Sequence, residues 1–340
     1  MDKLFQKVTS IIITNYNSYW NNPIVNKYLG KEAIPNYEGT LILRKKGKPV
    51  WISHPFNYNQ AKKEFWKKVI VEKYETKEDF EKITKKYCGK NIGYDSKFTS
   101  VSGLRNLKKM LKGKILVAVS KELEKEREIK TQKEIENIKI AVKETKKVIT
   151  KARKKLKNRI TEKEIENFVK NEFEKDGFET AFCIVAFGNN AKNLHHVPRN
   201  KRLSSGQVLF DIGAKYKGYV SDISESFWFG SVNGKEKKKF EEYDKKLFEI
   251  KVFLKKVEGK LKEGTKASDL WKAVEGLKMP HALGHGIGLE EHDFPSGIGQ
   301  KSNWELKNGM VLAIELGEYK KFGIRIEKDY LITKMGFKEL

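Results

Sequence analysis

The chain has 340 residues and a formal net charge of +25, with 39% hydrophobic and 34% charged residues. This length predicts two domains, and the apolar fraction is large enough for a sizeable core. Its apolar runs are far shorter than the about 20 residues of a membrane-spanning helix, and MDKLFQKVTSIIITN at the N-terminus lacks the apolar segment of a secretory signal. We therefore expect a cytoplasmic protein that does not contact the membrane.

The excess of positive charge raises nucleic-acid binding as an alternative. Only eight of the 70 basic residues are arginine, the residue best suited to bidentate contacts with bases and phosphates. The lysines are spread along the chain and often alternate with glutamate, as in KELEKEREIKTQKEIENIK. This pattern favours solvated helix faces, so a nucleic-acid partner is not expected. The two cysteines, Cys88 and Cys183, have no CxxC spacing and favour a reducing compartment.

The first third of the chain alternates short apolar runs with amphipathic segments, which predicts a three-layer α/β domain. A hairpin is predicted at 39–53, turning at Lys46-Gly47-Lys48. Further strands are predicted at 10–14, 67–74, 90–95 and 113–119. Helices are predicted between them at 58–68, 77–87 and 101–112. We assign residues 1–125 to this domain.

The pattern becomes helical from about 121 to 157, where Thr131 followed by Glu134 predicts a capping box. Thr161 and Glu164 repeat this signal before a second helix. Strands are then predicted at 181–188, 207–214, 219–229, 310–317 and 323–332, and helices at 235–262 and 267–276. Strands grouped before and after helices predict an α+β domain with one curved antiparallel sheet, which we assign to residues 126–340.

Acidic residues interrupt the apolar runs of the last four long strands. They are Asp211 in VLFDIGA, Asp222 in GYVSDIS, Glu315 in VLAIELG and Glu327 in GIRIEKD. A carboxylate among aliphatic residues carries a heavy desolvation cost unless a cation compensates it. One such residue fits an outward-facing strand position, but four in one half of the chain need a shared cause. A cluster of divalent metal ions supplies that cause.

The histidines are concentrated in the same half of the chain. The segment HALGHGIGLEEH contains His281, His285 and His292, and its glycines disfavour a regular helix. No glutamate follows the first histidine, so this is not a HExxH zinc-peptidase motif. Neutral imidazole is a good ligand for Zn²⁺, Co²⁺ and Mn²⁺. The histidines therefore extend the predicted metal site.

These segments resemble the pita-bread metallopeptidases, the family of methionine aminopeptidase, aminopeptidase P and prolidase. LFDIGAKYKGYVSDIS resembles the family's stretch with two metal-binding aspartates, HALGHGIGLEEHDFP its histidine segment, and IELGEY and GIRIEKD its two glutamate segments. ISHPFNYNQAKK and REIKTQKEIENIK fit the creatinase-like domain of prolidase and aminopeptidase P. The resemblance covers most of the chain and implies a creatinase-like α/β N-terminal domain followed by an α+β pita-bread catalytic domain.

The resemblance also implies the roles of the matched residues. Two divalent metal ions, manganese or cobalt with zinc as an alternative, are implied at Asp211, Asp222, His285, Glu315 and Glu327. Among these ligands, Asp222 and Glu327 are shared between the ions, and Glu315 is also the general base. The implied nucleophile is a bridging water or hydroxide. The other implied catalytic positions are His195, His281, His292 and Arg325, whereas His196 is expected to be incidental.

An enzyme that hydrolyses Xaa-Pro bonds is implied, and its N-terminal domain implies a homodimer. The compact length favours prolidase, which acts on dipeptides, over aminopeptidase P, which acts on peptide N-termini. A catalytically inactive pita-bread protein that binds a partner through its basic surface stays open as a further alternative. Leucine stands at 194 and 316, where the family usually has proline, and Glu225 stands where it often has arginine, but every ligand is present.

Overall fold

The structure is a computed structural model that describes residues 3–15, 22–30 and 38–340. It divides into two compact units, Met1–Arg127 and Glu128–Leu340. Among the described residues, no helix combines the length and the apolar character that a membrane crossing requires.

The first unit contains a mixed sheet. Its strands are β1 (Ser10–Asn15), β2 (Gly39–Arg44), β3 (Val50–Ser53), β4 (Ile70–Lys73), β5 (Asn91–Tyr94) and β6 (Ile115–Ala118). Their order is β4-β3-β2-β1-β5-β6, in which β2 pairs antiparallel with β1 and β3, and the other neighbours are parallel. The helices are α1 (Pro23–Leu29), α2 (Tyr58–Phe65), α3 (Lys77–Tyr87), α4 (Val101–Met110) and α5 (Ser120–Glu128), the last of which ends at the boundary between the units.

Alternation along the strands of the first unit supplies apolar side chains to both faces of its sheet. Ile11 and Ile13 of β1 belong to one core cluster, which includes residues of α1 and α2. Ile12 belongs to a second cluster, which includes residues of α3 and α4. The three-layer arrangement, the hairpin and the predicted strands are confirmed, whereas α1 was not predicted.

The second unit contains an antiparallel sheet. Its strands are β7 (Glu179–Phe187), β8 (Gly206–Tyr216), β9 (Tyr219–Val220), β10 (Ile223–Phe229), β11 (Gly284–Gly286), β12 (Val311–Glu318), β13 (Ile324–Ile332) and β14 (Phe337–Glu339). The main path is β11-β12-β13-β10-β8-β7, with β14 beside β13 and β9 beside β8. The helices are α6 (Gln132–Lys155), α7 (Glu162–Lys175), α8 (Lys235–Glu258) and α9 (Ala267–Lys272).

Two predicted elements are divided in the structure. The capping box of Thr131 and Glu134 begins a new helix, so the predicted helix at 121–157 is the pair α5 and α6. The predicted strand at 219–229 is interrupted between β9 and β10, because the backbone N–H of Asp222 donates to the carboxylate of Asp329 rather than to a strand partner. The capping box at Thr161 begins α7 as predicted.

The helices of the second unit pack against apolar residues of its sheet. Phe210 and Ile212 of β8 lie in a core cluster with α6 and α7. Ile314 and Leu316 of β12 lie in a second cluster with α8 and α9. Because neighbouring residues of a strand point to opposite faces, the acidic residues between these pairs lie on the face away from the helix-packed cores.

Candidate metal centre

The strand register aligns the predicted acidic positions in one row across the sheet. Ser224 of β10 pairs with Asp211 of β8 on one side and with Glu327 of β13 on the other. Glu327 in turn pairs with Glu315 of β12. Directly paired residues of antiparallel strands present their side chains on the same face. Four strands therefore direct three carboxyl groups and one hydroxyl to the same region.

The side chains of Asp222 and His285 lie close to Glu327 of this row, although neither residue is part of the row. Ligand atoms of Asp222, His285 and Glu327 all lie within 4.8 Å of one another, and all three residues are buried. The Nε2 atom of His285 is 3.8 Å from Asp222 Oδ2 and 3.8 Å from Glu327 Oε1. These three side chains form the compact part of the candidate centre.

The position of His285 depends on the glycines on either side of it. His285 is the middle residue of β11, which pairs with β12. A Cβ atom on Gly284 would lie 2.1 Å from the carbonyl oxygen of Ala313, and one on Gly286 would lie 2.6 Å from the backbone of Phe294. Only glycine permits these approaches. The expectation that this segment is not a regular helix is confirmed.

Asp211 and Glu315 are joined to each other through Arg325. The Nη1 atom of Arg325 is 3.2 Å from Asp211 Oδ2 and 3.2 Å from Glu315 Oε1. Its Nη2 atom donates to the carbonyl oxygen of Leu194 at 2.8 Å. Arg325 lies two residues before Glu327 on β13, so the two side chains share a face. The guanidinium therefore holds two of the predicted ligands at one of its nitrogens.

The electrostatics of the cluster indicate a site suited to cations. Burial, followed by the neighbouring carboxylates, raises the pKa of Asp222 and of Glu327 well above the usual range. Burial also raises the pKa of Asp211, although the charge of Arg325 opposes this. Among the described residues, Asp211 Oδ1 and Asp222 Oδ1 are buried and have no hydrogen-bond partner. Such atoms carry a desolvation cost that a bound cation would remove.

The donor set fits a divalent metal ion. Carboxylate oxygens with one imidazole suit Mn²⁺, Co²⁺ and Zn²⁺. Burial and the neighbouring His292 lower the pKa of His285 to about 4, so its imidazole is neutral at physiological pH, the form that binds metals. The Oγ atom of Ser224 donates to Glu327 Oε2 at 3.0 Å and so orients this carboxylate.

The other predicted histidines surround the cluster. His292 is mostly exposed, and its ring stacks on that of His285 with centroids 4.0 Å apart. His281 Nδ1 is 3.4 Å from Glu315 Oε2, and its Nε2 is 3.0 Å from the hydroxyl of Tyr319. His195 is exposed. Its electrostatic interaction with Asp211 lowers the pKa of that carboxyl, but this effect is smaller than those of burial and of Arg325.

Three buried polar residues of the catalytic unit were not identified from the sequence as functional candidates. Asp329 is buried on β13 and accepts the backbone N–H of Asp222 at 2.9 Å. Its signal was available, because it is the third polar residue at alternate positions of the apolar run GIRIEKDYLI. His196, expected to be incidental, is buried with its Nε2 atom 2.9 Å from Glu162 Oε2. Glu162 itself resembles an ordinary acidic residue in the first turn of a helix, so the sequence offers no signal for its burial.

Two family models match the chain. The model of Metallopeptidase family M24 matches residues 136–334, which is more than half of the chain. The chain is a member of metallopeptidase family M24. The model of the Creatinase/Prolidase N-terminal domain matches residues 13–129. The family resemblance and the fold class inferred from the sequence are therefore confirmed for this M24 metallopeptidase.

Relatives and solved structures similar to this M24 protein align with most or all of its length. An Xaa-Pro dipeptidase of Pyrococcus horikoshii is 31% identical over 365 residues, covering 100% of this chain and 98% of the relative. An uncharacterized peptidase of Staphylococcus epidermidis is 31% identical over 313 residues, covering 88% and 86%. The solved prolidase from Pyrococcus furiosus has a TM-score of 0.81 at 28% identity, covering 98% and 96%. The X-Pro aminopeptidase from Thermotoga maritima has a TM-score of 0.85 at 23% identity, covering 98% and 95%, a likeness of fold alone.

Proposed function

We propose that this M24 metallopeptidase hydrolyses the Xaa-Pro bond of dipeptides and uses two divalent metal ions. The observation that carries the proposal is the buried row of carboxylates, joined by His285, on one face of the sheet. The full-length similarity to an Xaa-Pro dipeptidase supports the choice of substrate. The ligands that we propose are Asp211, Asp222, His285, Glu315 and Glu327.

We propose that Asp222 and Glu327 are shared between the ions, because both adjoin His285 and both carry strongly raised pKa values in the metal-free chain. When bound, such a pair of ions supplies a nucleophile at neutral pH by lowering the pKa of a shared water, and it polarises the scissile carbonyl. The protein contributes the fixed positions of the ligands: Ser224 donates to the carboxylate of Glu327, and Asp329 accepts from the backbone N–H of Asp222.

Glu315 is the proposed general base. Arg325 contacts its Oε1 atom, and its Oε2 atom lies on the side of His281. The His281 tautomer with the proton on Nδ1 donates to the carbonyl oxygen of Ala282 at 2.7 Å and accepts from Tyr319 through Nε2. This arrangement leaves Glu315 Oε2 as the atom that takes up a proton from the attacking water.

Two of the proposed substrate contacts are exposed histidines, whereas Arg325 is buried. His292 is exposed beside His285, so its ring is available to the scissile carbonyl and the developing oxyanion. His195 is also exposed, on the segment that supplies the carbonyl oxygen of Leu194 to Arg325. We propose that His195, His281, His292 and Arg325 contact the substrate during the reaction.

The decisive experiment compares Xaa-Pro with Xaa-Pro-Yaa peptides, using protein loaded with Mn²⁺, Co²⁺ or Zn²⁺ and chelator-treated protein as the control. We expect hydrolysis of the dipeptide, about two ions per chain in the active sample, and no turnover after chelation. Preferential hydrolysis of the tripeptide would make the protein an aminopeptidase P instead. Comparison of the three loaded samples also tests the proposed preference for manganese or cobalt.

The net charge of +25 favours one other function, that of a catalytically inactive binding protein with a basic surface. After reconstitution, such a protein would bind much less than about one metal ion per chain, and it would hydrolyse neither the Xaa-Pro nor the Xaa-Pro-Yaa peptide. Retention on heparin that disappears at moderate salt would indicate only nonspecific charge attraction.

We also propose a cytoplasmic homodimer with a creatinase-like domain at 1–125 and a catalytic domain at 126–340. The location is inferred from the sequence, with Cys88 and Cys183 both unpaired in the structure. The homodimer is inferred from the resemblance to prolidases. Light scattering on a size-exclusion column tests it, because a mass of about one chain would contradict a dimer.

A further inference from the structure

Glu162 is a fully buried carboxylate at the first position of α7, with no exposed surface. Acidic residues are common in the first turn of a helix, where the helix dipole favours them, but they are ordinarily exposed. Its neighbour Thr161 already caps the helix through Glu164. The burial of Glu162 therefore has a cause other than helix capping.

The four side-chain hydrogen bonds of Glu162 come from the last residue of β7 and from the segment between β7 and β8. Its Oε1 atom accepts from the backbone N–H of Phe187 at 2.7 Å and from Asn190 Nδ2 at 2.8 Å. Its Oε2 atom contacts His196 Nε2 at 2.9 Å and accepts from the backbone N–H of Arg199 at 3.0 Å. Charge-assisted bonds of this kind are the strong ones. One carboxylate thus binds residues spread from 187 to 199.

This segment reaches the candidate metal centre. The carbonyl oxygen of Leu194 accepts from Arg325 Nη2 at 2.8 Å, while Nη1 of the same guanidinium contacts Asp211 and Glu315. The Nε atom of Arg325 is buried and has no hydrogen-bond partner among the described residues. The Leu194 carbonyl is therefore the neutral contact that sets the direction of the guanidinium between the two carboxylates.

We propose that Glu162 is a positioning residue for the peptidase reaction. It holds the 187–199 segment so that the Leu194 carbonyl orients Arg325. The proposal rests on the proposed function of this site. Backbone bonds from Glu162 and Lys163 to the carbonyl oxygens of Lys201 and Arg199 anchor the far end of the segment independently of the side chain. Loss of the carboxylate should therefore loosen residues 188–196 without unfolding α7.

The test is Glu162→Gln in the full chain. Its amide –NH₂ must face one of the two pairs of donors, so at least one hydrogen bond is lost. Glu166→Gln is the matched control, because Glu166 is a buried carboxylate one turn along α7 whose ion pairs are with Lys163 and Lys170 of the same helix. Asn190→Ala, which removes a single donor, is the milder variant if Glu162→Gln does not fold.

We expect Glu162→Gln to keep the wild-type metal content and to lower kcat/KM on an Xaa-Pro dipeptide about tenfold, equivalent to about 1.4 kcal/mol. Glu166→Gln should leave kcat/KM unchanged. In an Arg325→Ala background, Glu162→Gln should change kcat/KM by less than about twofold, because coupled residues are not additive. A similar loss in both backgrounds, or equal kinetics for Glu162→Gln and Glu166→Gln, would overturn the proposal.

Hydrogen exchange provides a readout that does not depend on activity. Residues 188–196 should exchange faster in Glu162→Gln than in Glu166→Gln, while β8 and β13 keep their protection. If the wild type hydrolyses no Xaa-Pro peptide, the proposed function fails, and the exchange comparison still decides whether Glu162 holds the segment. Unchanged exchange in 188–196 would refute the role of Glu162 even if the wild type is active.

Discussion

The substitution Asp222→Asn distinguishes the contribution of this carboxylate to metal binding from its contribution to folding stability. Burial, together with the charges of Glu327 and Asp211, raises the pKa of the Asp222 carboxyl well above its usual range. Asparagine has nearly the same shape and carries no charge. In the metal-free protein the substitution therefore removes an unfavourable charge, whereas in the metal-loaded protein it removes a ligand.

The direction of the pH dependence follows from this raised pKa. Below pH about 4, the Asp222 carboxyl is protonated in both the folded and the unfolded chain. As the pH rises, the unfolded chain releases its proton first, so the folded state binds more protons and the free energy of unfolding decreases. One unit of pKa elevation corresponds to about 1.4 kcal/mol. We therefore expect chelated Asp222→Asn to be more stable than chelated wild type near pH 8, with no such gain near pH 4.

The assay is scanning calorimetry with chelator or with Mn²⁺, following the transition of the catalytic unit because a chain of two units need not unfold in one step. An ion present at 100 times its Kd stabilises the wild type by about 2.7 kcal/mol, and the variant should lose most of this gain. Glu166→Gln is a control for which we expect the opposite effect on stability. Burial raises the pKa of Glu166, but hydrogen bonds from Lys163 and Lys170 lower it overall. Removal of this carboxylate should therefore destabilise the folded chain at neutral pH. The reasoning is refuted if chelated Asp222→Asn is less stable than wild type near pH 8, or if Mn²⁺ stabilises both equally.

Three further predictions concern the same region. His292→Ala should keep its metal and lose about 100-fold in kcat, measured by elemental analysis and kinetics on one sample; loss of metal would instead make His292 a ligand. Burial raises the pKa of Asp329 to about 8, so chelated wild type should lose stability as the pH rises from about 4 to 8. Asp329→Asn retains an acceptor for the N–H of Asp222. Urea titrations at the two pH values should show a smaller loss in its free energy of unfolding than in that of the wild type. An equal loss would contradict the raised pKa of Asp329. Because the pKa values of Asp222 and Glu327 are raised, the binding of Mn²⁺ should displace protons from these carboxyl groups. The proton release is measured as acidification of a weakly buffered solution. Binding without proton release would show that both groups are already ionised.

Local signals in the sequence predicted most of the helices and strands, and they predicted the face of the sheet on which the site lies. The capping boxes at Thr131 and Thr161 each depend on residues within one helical turn, so they predict helix starts without tertiary information. In VLFDIGA, alternation alone places Asp211 on the face opposite Phe210 and Ile212. Desolvation of several carboxylates in apolar strands indicated a cation site before any geometry was known.

What the sequence by itself determined was therefore the order of most helices and strands, the polar face of the catalytic sheet and the candidate ligands, whereas α1, β11 and β14 were not predicted. Only the tertiary structure decided the register that aligns Asp211 with Ser224, Ser224 with Glu327 and Glu327 with Glu315. It also decided that the buried carboxylate of Glu162 accepts hydrogen bonds from residues 187–199, which are distant in the sequence. The physical reason is range: a cap or an alternating strand is encoded by residues a few positions apart, whereas a buried carboxylate is satisfied by donors that only the folded chain brings to it.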